Sequence, residues 1–242
     1  MMQLNGLRPY LMADFEETYY KVDVLHEGDV LGEVSVAVAH PKKIRAVAIM
    51  AHGAGGDLNA KLLVHLQNGL AARSVTVVRF NFLYSEKRKR ALDRRPQLEA
   101  VWRSVADWSR KELQSESLFL GGKSMGGRMA SYVAAEGYPC AGVFFLGYPL
   151  HPPGKTDKQR RAHLSSIPVP TLFIQGARDS FAKLELVQEV VDEMGARATL
   201  HVIAEGDHSF KVPKRVGRTE GEVTQEILDV LDAWIGNVGE NP

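Results

Sequence analysis

The chain of 242 residues carries 30 basic and 29 acidic side chains, a formal charge of +1, with 45% hydrophobic and 24% charged residues. That composition is ordinary for a folded globular protein and lies far from disordered, collagenous and membrane classes. The balanced charge provides no global field to draw the chain to nucleic acid or an anionic membrane, so neither is expected as a partner.

The single cysteine, Cys140, cannot form an intramolecular disulfide. Residues 1–17 lack the basic start and apolar run of a signal peptide, and no apolar stretch approaches the roughly 18–20 residues that cross a bilayer. A cytoplasmic location is expected. With no Pro/Gly/Ser-rich linker, the chain reads as one domain, 1–242.

In chain order, alternating segments at 18–25 and 32–40 enclose Glu27-Gly28-Asp29 and predict an antiparallel hairpin at a sheet edge. Short apolar runs at 45–51, 75–80, 117–120, 141–146, 171–174 and 199–203 predict buried strands. Between them, helical spacing covers 59–72, 97–113, 125–135, 182–194 and 220–234. Strand–helix alternation implies an α/β fold, a mostly parallel central sheet with helices on both faces. Ligands then bind beyond the carboxyl ends of the strands, so the loops that follow the strands are where chemistry is sought.

One such loop carries G-x-S-x-G at Gly122 to Gly126, between an apolar strand and a helix-compatible run. A sharp strand-to-helix turn exposes the serine and needs small neighbours, which Gly122 and Gly126 supply. Ser124 is the candidate nucleophile, and the Met125 N–H, at the positive end of the following helix, is a candidate oxyanion donor.

After the strand at 199–203, a polar loop presents His208, whose imidazole suits a base that takes the serine proton and returns it to a leaving group. His201 lies inside a strand, His65 on a helical stretch, and His26 and His40 in the hairpin, so these read as structural. The strand at 171–174 leads through Gly176 to Asp179, placed to accept the other imidazole N–H and orient the ring. Asp179 could instead cap the helix near Ala182. Asp207 is a rival acid, but an aspartate next to the histidine more often hydrogen-bonds within its own turn.

After 45–51 comes His52-Gly53-Ala54-Gly55-Gly56-Asp57, where a second oxyanion amide is expected. Ala54 is the preferred donor, with Gly53 and Gly55 open. A phosphate-cradling loop is the competing use, yet neither G-x-x-x-x-G-K-[ST] nor G-x-G-x-x-G is present there. No nucleotide motif or clustered Cys/His ligand set occurs, so no cofactor and no metal are expected.

The motifs HGAGG at 52–56, GGKSMGGRMAS at 121–131, GARD at 176–179 and GDHSF at 206–210 resemble those of the α/β-hydrolases over residues 44–210. More narrowly, the chain is similar to small, lid-poor hydrolases near the dienelactone-hydrolase group, in the branch that includes a regulatory subunit of the NSL chromatin acetyltransferase complex. The resemblance implies the α/β-hydrolase fold, the order Ser124, Asp179, His208 and a hydrolase class; a small-molecule acyl substrate is the expected partner. It names no substrate, and a non-catalytic interaction module on the same fold is the alternative.

Only 148–168 separates two predicted strands where many relatives insert a helical lid, so a minimal lid and an accessible substrate are expected. The loop after 75–80 carries Lys87, Arg88, Lys89, Arg90, Arg94 and Arg95 against Glu86 and Asp93. It is either a solvated charged loop or a clamp for a substrate carboxylate or phosphate. Tyr84, Tyr148 and His151 also follow predicted strands and are candidate pocket residues.

Overall fold

The structure, a computed structural model, describes residues 15–115 and 117–240. The expectation for the start of the chain falls mostly on residues 1–14, outside the described residues.

The strands β1 (Phe15–His26) and β2 (Asp29–Pro41) form the predicted hairpin. Glu27 and Gly28 between them have φ of 52° and 92°, the left-handed pair that matches a tight turn to twisted strands. Then come β3 (Ala46–Ala51), β4 (Val75–Phe80), β5 (Leu118–Lys123), β6 (Gly142–Leu146), β7 (Thr171–Gly176) and β8 (Ala198–Ile203). The sheet order is β1-β2-β4-β3-β5-β6-β7-β8. The first two pairings, β1–β2 and β2–β4, are antiparallel, and all later neighbours are parallel.

Every residue of β3, β4, β6 and β7 is buried, as their mostly apolar sequences require, with Thr76, Arg79, Thr171 and Gln175 as the buried polar exceptions. Strands covered on both faces have no solvent side on which to place polar residues. One face is covered by α1 (Lys61–Ala71) and α6 (Glu220–Glu240), through Leu63, Leu66, Ile227 and Leu231. The other is covered by α3 (Arg95–Glu112), α4 (Met125–Ala135) and α5 (Leu184–Met194), through Trp102, Met129 and Val187. A one-turn helix, α2 (Leu83–Glu86), lies in the β4–α3 connection and is too short to leave a periodic signal.

The β6–β7 connection holds only a 3-10 turn at Leu164–Ser166. Its Tyr148, Leu150, Leu164 and Ile167 are buried in the same core as α3, α4 and α5. This segment therefore packs against the sheet where a crossover helix would lie. From β3 the chain steps to β4 on one side and then to β5 on the other, so a crevice opens between the carboxyl ends of β3 and β5. Among the described residues no helix is long and apolar enough to cross a membrane.

Candidate active site

Ser124 lies between the end of β5 and the start of α4 with φ 51° and ψ −114°. A non-glycine residue there stores on the order of 1–3 kcal/mol of strain, which persists only where the surroundings impose it. They do so at close quarters. A Cβ on Gly122 would sit 2.2 Å from the Ala51 carbonyl oxygen, and one on Gly126 2.5 Å from the same atom and 2.6 Å from the His52 carbonyl. Both contacts are with backbone, so the turn can press against the end of β3 only with glycine at these positions. Ser124 N–H also donates to the Leu146 carbonyl at 3.1 Å, tying the turn to β6.

The structure brings the three expected side chains into one line. Ser124 Oγ is 2.8 Å from His208 Nε2, and His208 Nδ1 is 2.7 Å from Asp179 Oδ2. The Asp179 side chain is fully buried and that of His208 one-fifth exposed. Asp179 Oδ2 also accepts from Gln175 Nε2 at 2.6 Å, and Oδ1 from the Phe181 N–H at 2.7 Å. With the carboxylate accepting on Nδ1, that nitrogen carries the proton and Nε2 faces the serine as acceptor. The Phe181 ring lies against the imidazole with centroids 4.4 Å apart. Asp179 does not cap α5, whose N-cap is Lys183. Asp207 bonds within its own loop, Oδ1 accepting from Ser209 N–H at 2.8 Å and Lys211 N–H at 2.9 Å.

The HGAGG loop packs against this turn: a Cβ on Gly53 would lie 3.6 Å from the Ser124 Cβ. The Gly55 and Gly56 amides both donate to the Gly53 carbonyl, at 3.0 and 3.1 Å. Gly55 N–H is therefore engaged, and the Ala54 N–H has no acceptor among the described residues. Met125 N–H, in the first turn of α4, has no intrahelical acceptor either. His52 is fully buried and holds the loop to the β4 end, its Nε2 accepting from Phe82 N–H at 3.3 Å. Its Nδ1 lies 2.8 Å from the Gly53 carbonyl, and burial lowers its pKa so that the ring stays neutral.

The sequence matches the alpha/beta hydrolase domain family over residues 44–236. The chain belongs to that α/β-hydrolase family. Its fold is also that of solved structures at low identity. A dienelactone hydrolase from Anabaena variabilis superposes with a TM-score of 0.74 at 18% identity, over 93% of this chain and 98% of that one. A serine hydrolase without lid from Xanthomonas campestris gives 0.68 at 22%, over 97% and 96%. A serine hydrolase homologue from Coxiella burnetii gives 0.69 at 20%, over 93% and 98%.

Within this α/β hydrolase, three polar residues near the site escaped the sequence reading. Gln175 is fully buried; its amide NH2 holds Asp179 while its Oε1 accepts the Tyr148 N–H at 2.9 Å. The available signal was a lone polar residue at the end of an apolar strand. Lys123, between Gly122 and Ser124, donates from Nζ to the His208 carbonyl. Burial pushes its pKa down to about 8, with Asp179 and Asp207 opposing. Arg128 lies one turn beyond Ser124 on α4.

Of the candidate pocket residues, Tyr84 lines a cavity of about 340 Å³ with Ala54, Gly55, Gly56, Ser85, Arg88, Lys89 and Arg90. Its phenol is pushed up to about 12 by burial and by Asp93. Tyr148 is instead a core residue against Phe145 and Phe173, and buried His151 accepts the Lys183 N–H at 2.9 Å to join two loops. The basic loop divides. Arg88, Lys89 and Arg90 face the cavity, Arg94 precedes α3, and Arg95 pairs with Glu99 and Glu136.

Proposed function

We propose that this chain is a metal-independent serine hydrolase that cleaves carboxylic esters, thioesters or amides through an acyl-enzyme, with Ser124 as nucleophile, His208 as base and Asp179 as its orienting acid. The observation that carries this reading is the unbroken chain of contacts at 2.8 and 2.7 Å from a strained serine to a buried carboxylate. Its support is chemical: each group has the environment its role needs.

In the first half-reaction Ser124 Oγ bonds to the substrate carbonyl carbon while its proton passes to His208 Nε2. The carbonyl electrons move onto oxygen, where the Ala54 and Met125 amides would receive the charge. Asp179 stabilises the imidazolium without taking its proton. Collapse breaks the bond to the leaving group, which takes the proton from Nε2. In the second half, water gives its proton to Nε2 as its oxygen bonds the acyl carbon, and the bond to Oγ breaks as the proton returns to serine. The products are a carboxylic acid and an alcohol, thiol or amine.

Because the 147–170 segment holds only a 3-10 turn and is anchored in the core by Tyr148, Leu150, Leu164 and Ile167, the reading extends to a small or accessible acyl substrate. The narrower kinship with the NSL branch rests on the quoted sequence motifs. The test is turnover of short and medium p-nitrophenyl esters and thioesters by wild type and Ser124→Ala, with fluorophosphonate labelling of both. Wild type should label and turn over, and Ser124→Ala should lose at least about 10⁴-fold in kcat. If wild type neither labels nor hydrolyses any ester, the interaction-module reading replaces this one.

A further inference from the structure

We propose that Arg128, seconded by Arg160, is a docking point for a carboxylate or phosphate carried by the substrate, so that the site prefers anionic acyl compounds. The inference rests on the serine-hydrolase reading and adds a substrate class to it.

Arg128 is four residues after Ser124, its N–H donating to the Ser124 carbonyl at 3.0 Å. Residues four apart on a helix share a face, and long helical side chains lean toward the N-terminus, here the end that carries the nucleophile. The guanidinium is partly buried, its Nε wholly so with no hydrogen-bond partner. Among the described residues none pairs with it in an ion pair and none accepts a hydrogen bond from it.

The charges around Arg128 make this more costly. Its pKa is lowered by burial and then by the positive charges of Arg160 and Arg95, with only the Tyr132 and Tyr148 phenols opposing. Arg95 is compensated, since it pairs with Glu99 and Glu136 and lies over the Tyr132 ring at 3.6 Å. Arg160 is not: its Nη1 donates to the Pro149 carbonyl at 3.1 Å, and it forms no ion pair among the described residues. It is fixed in the β6–β7 segment by its N–H to the Leu150 carbonyl at 2.7 Å and by its own carbonyl, which accepts from Tyr148 at 2.8 Å.

Two guanidinium groups held near one another, partly desolvated and without a counter-ion, destabilise a fold. A planar fork of donors suits a carboxylate or phosphate. One helical turn from the nucleophile, such an anion would fix the acyl chain while its carbonyl meets Ser124. The basic loop at 88–90 lies across the oxyanion loop, but its arginines and lysine are exposed and lack this desolvation.

The experiment compares p-nitrophenyl hemiglutarate with p-nitrophenyl valerate, matched in length and differing in charge, on wild type, Arg128→Met and Arg128→Lys. Neutral fluorophosphonate labelling reports on Ser124 in parallel. Wild type should favour the anionic ester. Arg128→Met should lose roughly 10–100-fold in kcat/KM on it, the range of a charge-assisted hydrogen bond, and less than about threefold on the neutral ester. Arg128→Lys should recover part of the difference.

Arg128→Met should also melt at or above wild type, because it removes a partly buried charge without a counter-ion. Competitive inhibition of valerate hydrolysis by succinate and by inorganic phosphate then distinguishes the two anions. Equal losses on both esters with a lowered melting temperature would make Arg128 merely structural and overturn the proposal. So would a wild type that labels but shows neither charge preference nor competition by either anion. A wild type that neither labels nor hydrolyses either ester removes the hydrolase reading, and the proposal with it.

Discussion

At the level of single residues, Lys123 shows how a motif position that the pattern leaves open can still be constrained. Its Nζ donates to the His208 carbonyl and lies 5.2 Å from the centre of the Phe210 ring. A folded-state pKa of about 8 lies below the unfolded lysine value near 10.4. Between those values the unfolded chain holds a proton that the folded one has released, so this residue makes stability rise with pH across that window. Below pH 8 the full penalty stays in place, on the order of 3 kcal/mol. Urea unfolding at pH 7 and pH 10 should therefore show Lys123→Met gaining on wild type at pH 7 and losing that relative gain by pH 10. A difference independent of pH would remove the titration from Lys123. That Ser124, Asp179 and His208 would meet was legible because each follows a strand in a fixed order. Lys123, Gln175 and Arg128 were not, because what matters about them is where a side chain points and what it lacks, which spacing does not encode.

Elements were legible where burial set the pattern. Strands β3, β4, β6 and β7 were found because both faces are covered, and α4 matched its predicted bounds. The apolar run predicts strand β5 only to 120, because Gly121 and Gly122 are poor strand formers. It continues to Lys123 because those glycines allow pairing with β3 on one side and β6 on the other. The same requirement makes the turn fragile. In Gly126→Ala the new methyl meets two backbone carbonyls, of Ala51 and His52, that cannot rotate away. Relief requires the end of β3, and with it the HGAGG loop, to move off Ser124. The expected result is a loss of about 3 kcal/mol in urea unfolding and at least about 100-fold in kcat/KM, since displacement by about 1 Å has that effect on reacting groups. Wild-type values for both would show that the loop has slack that these contacts do not suggest.

Across the whole molecule, the antiparallel hairpin must be joined to a parallel sheet whose interior is apolar, and the join is polar. Arg79 on β4 is fully buried. Its Nε donates to Gln67 of α1 at 2.6 Å, its Nη2 to Glu17 of β1 at 2.6 Å, and its Nη1 to the Leu58 carbonyl. Glu17 pairs in register with Ala39, and Arg79 with Ala37. Two small side chains on one face of β2 thus let the ion pair close over that strand. Burial alone would raise the Glu17 carboxyl, but donors from Gln67, Tyr19 and Arg79 overcome it and hold the pKa below the usual carboxylate range. That contribution is present above the unfolded value near pH 4.3 and is lost as pH falls through the lower folded one. Glu17→Ala leaves a buried guanidinium without its counter-ion. Because the glutamate side chain is 31% exposed, we expect a loss of about 2 kcal/mol at pH 7, below the usual cost of breaking a fully buried pair. Adding Arg79→Met removes the stranded charge, so the double variant should be more stable than the sum of the two single losses predicts. Strict additivity in urea unfolding would mean that Glu17 and Arg79 act separately, and that the hairpin is held by its strand pairing and its packing on α3.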